Sequence, residues 1–257
     1  MTIVTCVKVR DGLVLGTDSM AHIQRGGQFL RSYRHATKLF QVGKLPIGAM
    51  SYGLGNIGHR SIESLMREFG DKLKANQKSV GPVSTSLCKF MKGHYDSLAK
   101  SLPEDEDLPE LGFLVAGYSP NQVFAEVREF RFPSDSKPRT TMAKEMLGAS
   151  WRGVEAPFFR LAMGYGFLVR QRLESAGLEE QVAGELLDDL GIDVVFDGMP
   201  VQDAVEYAAF ILNTTIGYTT FSMELSPCGG PLQVATILPD RTFTWLAKPE
   251  VHMKEGV

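Results

Sequence analysis

Thr2 follows the initiator methionine in MTIVTCVKVR, and that position offers a threonine a chemistry it lacks elsewhere. A hydroxyl is a weak nucleophile at neutral pH and needs a base beside it. If Met1 is removed, the freed α-amine of Thr2 is that base, with an unperturbed pKa of about 7.7–8.0. While Met1 remains, the same nitrogen belongs to an amide and accepts no proton. A residue as small as threonine is compatible with removal of the methionine. The plainer alternative is that Thr2 simply starts a strand.

The other reactive residues are less suggestive. Cys6, Cys88 and Cys228 are widely and irregularly spaced, without the close pairs of a zinc site or a disulfide framework. A thiol nucleophile at Cys6 or Cys228 would need a histidine partner that the sequence does not indicate. His22, His35, His59, His94 and His252 show no ligand spacing, so no metal and no cofactor is expected. GLGNIG, 53–58, nearly satisfies a dinucleotide-binding string, but no long βαβ alternation or ribose-binding acid supports it. The run PEDEDLPE reads as a solvated loop, because adjacent carboxylates repel one another.

Any reacting group must be positioned by a folded chain, and the composition is that of one. Hydrophobic residues make up 44% and charged residues 22% of 257 residues, with a formal charge of -3. Lysine and arginine, 27 in all, are scattered among 30 acids and form no basic stripe, which argues against a nucleic-acid partner. No segment has the length and apolarity of a membrane span. Reduced, unpaired cysteines and the absence of a basic leader point to the cytoplasm.

Residues 2–10 read as a β-branched strand, the Asp11-Gly12 step as a hairpin turn, and Leu13 to Thr17 as the return strand. Short strands are expected at 38–42 and 46–51. A helix follows with Ile62, Leu65, Met66, Phe69 and Leu73 on one face, then a second from Val83 to about Leu102. Strands resume at 111–118 and 122–132, with a third between Thr140 and Leu147. Residues 155–176 read as helix, and Pro200 opens another carrying Val201, Ala204, Val205, Ala208 and Leu212 on one face. The strands PLQVATIL and TFTWLA close the order. Strands apolar on both sides, grouped between blocks of helices, predict an α+β chain. Its expected architecture is a four-layer αββα sandwich of two antiparallel sheets flanked by helices. One domain over residues 2–257 is expected, with a helical insertion around 164–200.

TIVTCVKVRDGLVLGTDS, HATKLFQVGKLPIGAMSYG and GNIGHRSIESLMREF together resemble the amino-terminal half of the proteasome β-subunit family, including the HslV peptidase. Thr2, Gly12, Asp18, Ser19 and Lys38 match the family's pattern, with a slightly longer interval between Asp18 and Lys38. The resemblance implies an amino-terminal nucleophile hydrolase with Thr2 as nucleophile. Lys38 would favour the developing alkoxide, and Asp18 would hold its ammonium. Counting from Lys38 places Tyr52 where the family has its oxyanion-binding glycine, with Gly53 next; Gly53 suits the close backbone approach. Met20 and Met50 fall where family members line the substrate pocket, beside Tyr52.

The later part of the chain departs from the pattern. Ala149 stands where the family has the serine of a Gly-Ser-Gly near the terminal amine, with Ser150 one position on. Cys228 replaces a second serine and Leu225 an aspartate. Cys-Gly-Gly-Pro before a late strand is closer to the ancestral bacterial relatives called Anbu. The resemblance further implies a homo-oligomeric ring, a peptide or unfolded-protein substrate, and an ATPase unfoldase as partner. Two other functions fit the same residues: a non-catalytic shell protein, and an amidase or acyltransferase acting on small molecules.

Overall fold

The computed structural model describes residues 2–25, 28–103, 107–188, 190–223 and 225–248. Met1, the acids at 104–106 and His252 lie outside the described residues. β1 (Ile3–Val9) and β2 (Gly12–Thr17) form the expected opening hairpin, buried along both strands. A second hairpin, β3 (Ala21–Arg25) and β4 (Gln28–Tyr33), follows before β5 (Leu39–Gln41) and β6 (Ile47–Gly53). The short pair β7 (Asn56–Ile57) and β8 (Arg60–Ser61) leads into α1 (Ile62–Lys72).

Ser61 caps α1 by accepting the Ser64 N–H at 3.1 Å, and Ile62, Leu65, Met66 and Phe69 are its buried stripe. Complete burial of one such side chain is worth at most roughly 1.5–3 kcal/mol. α2 (Val80–Ala99) packs beside it, followed by β9 (Leu111–Gly117), β10 (Glu126–Phe132), β11 (Asp135–Met142) and β12 (Gly148–Gly153). The helical block is α3 (Ala156–Met163), α4 (Leu168–Ser175), α5 (Glu180–Asp188) and α6 (Val201–Thr220), and the hairpin of β13 (Gln233–Ile237) and β14 (Phe243–Ala247) closes the order.

Two antiparallel five-stranded sheets result, ordered β12-β1-β2-β13-β14 and β11-β10-β9-β6-β5. Three apolar layers separate four structural ones. Val4, Cys6, Leu13 and Leu15 of the first sheet meet Leu39, Met50, Leu114 and Val127 of the second. The second sheet's other face packs on α1 and α2 through Phe113, Phe130, Leu65 and Leu87. Val7, Val9 and Val14 face α3 and α6 through Phe158, Ala204, Ala208 and Ile211. The chain is therefore a four-layer αββα sandwich. β1, β2, β6, β9 and β13 lack polar alternation because both their faces are covered, whereas β10, β11 and β14 keep polar or half-exposed positions.

The local differences from expectation have physical reasons. Residues 143–147, expected in a strand, form the turn between β11 and β12: the Ala143 and Lys144 carbonyls accept the Lys8 ammonium at 2.5 and 2.8 Å. Those carbonyls are thereby withdrawn from a ladder. The continuous helix expected over 155–176 is divided at Gly164, whose φ of 74° caps α3. β10 begins at Glu126, later than expected.

Candidate active site

The opening hairpin delivers Asp18 to the start of β1. Asp18 follows the last residue of β2, and its N–H donates to the Ile3 carbonyl at 3.2 Å. Its carboxylate is fully buried and accepts four donors. Oδ1 receives the Ile3 N–H at 3.2 Å and the Lys38 ammonium at 2.8 Å. Oδ2 receives the N–H groups of Met20 at 3.1 Å and Gly229 at 2.9 Å. One carboxylate oxygen thus joins Lys38 Nζ to the residue that directly follows Thr2.

Lys38 is held by its backbone as well as by its charge. Its N–H and that of Leu39 both donate to Gln233 Oε1, at 3.1 and 3.2 Å, while Gln233 Nε2 donates to the Ala36 carbonyl at 2.7 Å. Gln233 belongs to the first sheet and Lys38 immediately precedes the second, so this fully buried amide registers one sheet against the other. The Ser51 N–H closes on the Lys38 carbonyl at 2.9 Å. Burial pulls the Lys38 pKa down, opposed by the charge and hydrogen bond of Asp18. A lysine in this setting gives up a proton more readily than one in water.

Thr2 lies at the head of β1, buried, with its carbonyl accepting the Val154 N–H at 2.8 Å. Ile3 pairs with Gly153. A Cβ on Gly153 would stand 1.9 Å from Thr2 O, and the residue has a φ of 93°, so both space and conformation require glycine.

This register corrects the expectation for Ser150. Ser150 pairs with Cys6, well along β1 from Thr2, and its buried Oγ has no hydrogen-bond partner among the described residues. Gly153 and Val154 occupy the place beside Thr2, and neither carries a hydroxyl. Cys228 is buried with Ile3 and Leu212, its Sγ 3.4 Å from Thr219 Oγ1. Burial pushes the Cys228 thiol up to about 11 and the Cys6 thiol up to about 12, so neither is a thiolate nucleophile at neutral pH. Leu225 is exposed.

The remaining sites divide. Ser19 Oγ lies 2.7 Å from the Arg34 carbonyl and 2.6 Å from that of Pro231, and its N–H donates to the Gly229 carbonyl, tying the Cys228 loop to Asp18. Met20 is partly exposed beside Gly229. Met50 is fully buried between the sheets, packed as core and without surface to offer a substrate. Tyr52 is 2% exposed, and its hydroxyl is committed to Glu129 at 2.6 Å, so it too lines no open surface. Gly53 has a φ of 87° and sits against the Glu110 carbonyl, where a Cβ would come within 2.1 Å. Gln233, Gly153 and Glu129 were not singled out from sequence, since only long-range pairing gives them their places.

No family model and no curated protein matches this sequence. Solved structures do match. "Anbu (ancestral beta-subunit) from Yersinia bercovieri" superposes with a TM-score of 0.55 at 14% identity, over 95% of this chain and 86% of that one. An "Anbu (Gly-1) mutant" from Hyphomicrobium sp. strain MC1 gives 0.55 at 12% identity, over 95% and 85%. At such identities the likeness establishes a shared fold, that of a proteasome-like layered sandwich. Among the described residues no helix is long and apolar enough to cross a membrane.

Proposed function

We propose that this chain is an amino-terminal threonine peptidase that hydrolyses peptide bonds through an acyl-enzyme on Thr2 after Met1 is removed. The observation that carries the reading is the buried Lys38–Asp18 pair, bonded through Asp18 Oδ1 to the N–H of the residue after Thr2. A lone buried ion pair is weak evidence of stabilisation, since taking two charges out of water costs several kcal/mol per ion, roughly speaking. Its placement at the start of β1, bonded to the residue that follows Thr2, has a chemical use instead.

In this reading the Thr2 α-amine takes the Oγ proton as Oγ attacks the substrate carbonyl carbon. The Lys38 charge favours the alkoxide, and Asp18 keeps that charge in place. A backbone N–H near Tyr52 and Gly53 meets the oxyanion. The protonated amine then gives its proton to the departing amine, leaving an ester on Thr2. Water, activated by the freed amine, cleaves the ester and restores the hydroxyl. No metal or cofactor takes part.

The reading extends to a cytoplasmic homo-oligomeric ring with its sites facing a chamber, fed with unfolded protein by an ATPase unfoldase. Residues 2–257 act as one domain, with α4 and α5 within the helical insertion. Support for assembly comes from the fold shared with Anbu proteins and from exposed apolar side chains such as Leu168, Ile192 and Phe196.

A second reading, a non-catalytic shell protein, is favoured by one observation: no serine hydroxyl stands where the family places two near the amine. The readings separate on the intact mass of purified protein together with hydrolysis of fluorogenic peptides. A peptidase is expected to lack the mass of Met1 and to release fluorophore. Retained Met1 with no release sinks the proposal in favour of the shell protein.

A further inference from the structure

Beside Thr2, the two sheets are joined by a polar network that the chemistry above does not use. Tyr52, Glu129 and Arg152 stand on β6, β10 and β12. Tyr52 faces the layer between the sheets, and its ring crosses its β9 neighbour Gly112. A Cβ on Gly112 would fall 2.0 Å from Tyr52 Cζ. The ring thereby reaches β10, where Tyr52 Oη donates to Glu129 Oε1 at 2.6 Å. The same oxygen accepts Arg152 Nε at 2.8 Å, and Arg152 Nη1 donates to the Trp151 carbonyl at 2.7 Å. Arg152 pairs with Val4 of β1. The network is sheltered but not sealed, with the Arg152 side chain 26% and that of Glu129 14% exposed.

Its location gives it consequence. The next residue after Arg152 is Gly153, where a Cβ would stand 1.9 Å from Thr2 O and 3.7 Å from Tyr52 Cβ. Thr2, the β12 terminus and the end of β6 therefore meet at one point. Burial, and then the bond to Glu129, raise the Tyr52 pKa far above its ordinary value, so the phenol remains a donor throughout the working range. Every atom of the network is supplied by strands whose neighbours are already paired; the three side chains add a lateral tie between the sheets at this edge.

We propose that Tyr52, Glu129 and Arg152 are positioning residues for the peptidase reaction, setting the gap between the β6 backbone and Thr2 in which the substrate carbonyl is held. This rests on the peptidase reading. Tyr52 then acts on the substrate through the backbone it anchors and not through a pocket contact. A loosened tie leaves the nucleophile chemically intact but its target displaced. Misplacement by about 1 Å can cost about 100-fold in rate.

The test is a double-mutant cycle on the assembled protein, with Met1 loss verified by mass. Tyr52→Phe keeps the ring over Gly112 and removes the bond to Glu129; kcat is expected to fall about 10- to 100-fold with KM within about twofold. Glu129→Gln keeps an acceptor for the phenol and is expected to lose less. Glu129 still holds Arg152 once the phenol is gone, so the double variant is expected to lose more than Tyr52→Phe but less than the product of the two single losses. A kcat unchanged in Tyr52→Phe, a rise in KM alone, or losses that multiply in the double variant would overturn the positioning role while leaving the peptidase intact. If Tyr52→Phe does not fold, an unchanged kcat in Glu129→Gln and Arg152→Lys overturns it equally. A wild-type protein freed of Met1 that hydrolyses no peptide sinks both readings together.

Discussion

Thr2→Ala, prepared free of Met1, is expected to hydrolyse peptides at least about 10³-fold more slowly than the wild type, because it retains the amine and loses the atom that amine serves. Alanine is as compatible with methionine removal as threonine, so the two proteins differ by a methyl group's carbon framework and one hydroxyl. The melting midpoint is expected to move little, since Thr2 contributes its backbone carbonyl to Val154 and alanine keeps that bond. Thr2→Ser returns the hydroxyl and is expected to recover most of the rate. Steady-state rates on one fluorogenic peptide, with each terminus confirmed by mass, provide the check. Equal rates for wild type and Thr2→Ala would remove Thr2 from the chemistry.

Asp18→Ala is expected to combine loss of activity with loss of stability. Its side chain is fully buried and that of Lys38 is 8% exposed, so removing the carboxylate strands an ammonium away from water. Breaking a buried pair in this way costs about 3–5 kcal/mol. It also releases the N–H groups of Ile3, Met20 and Gly229. Against a total stability of about 5–15 kcal/mol, the loss is visible in any denaturant titration. Asp18→Asn keeps one accepting oxygen in place of two and so satisfies only part of the backbone donors; it is expected to recover part of the stability lost in Asp18→Ala while remaining slow.

The pH dependence has a definite sign. Burial already lowers the folded pKa of Lys38 from 10.5, and removing Asp18 takes away the group that raises it. Between the folded and unfolded pKa values the unfolded chain binds more protons, so stability rises with pH in that window. The deficit of Asp18→Ala is therefore expected to shrink as pH increases toward the unfolded value. A deficit that grows over the same range would contradict the assignment of Lys38 as the stranded charge.

The first 75 residues were the more legible part of the sequence for particular reasons. β-Branched residues and the Asp11-Gly12 turn determine the opening hairpin, and its length determines where Asp18 arrives. Lys38 is legible only through the resemblance to the proteasome β-subunit family, because a lone lysine at a strand start is ordinarily a surface charge. The β3–β4 hairpin went unread, although Gly26-Gly27 is a recognised turn signal. Ser150 is named from the resemblance of LGAS to the family's Gly-Ser-Gly, and a local match of that length does not determine how β12 registers on β1. The β1–β12 register and the Val154 N–H to Thr2 carbonyl bond, both long-range, fix which residues lie beside Thr2. Gln233 and the Tyr52–Glu129–Arg152 network join residues far apart in the chain, and local periodicity carries no information about such meetings. Met50 shows the converse: a methionine between buried strands reads equally as pocket or core, and here the opposing sheet makes it core.

The most direct measurement is to quench turnover of a peptide ester with acid, digest the protein and locate the trapped acyl group by fragmentation mass spectrometry. The expected result is an acyl mass on the oxygen of Thr2, in a peptide that begins at Thr2. Acyl mass on Cys6 or any other residue, or a turning-over protein that still carries Met1, would contradict it.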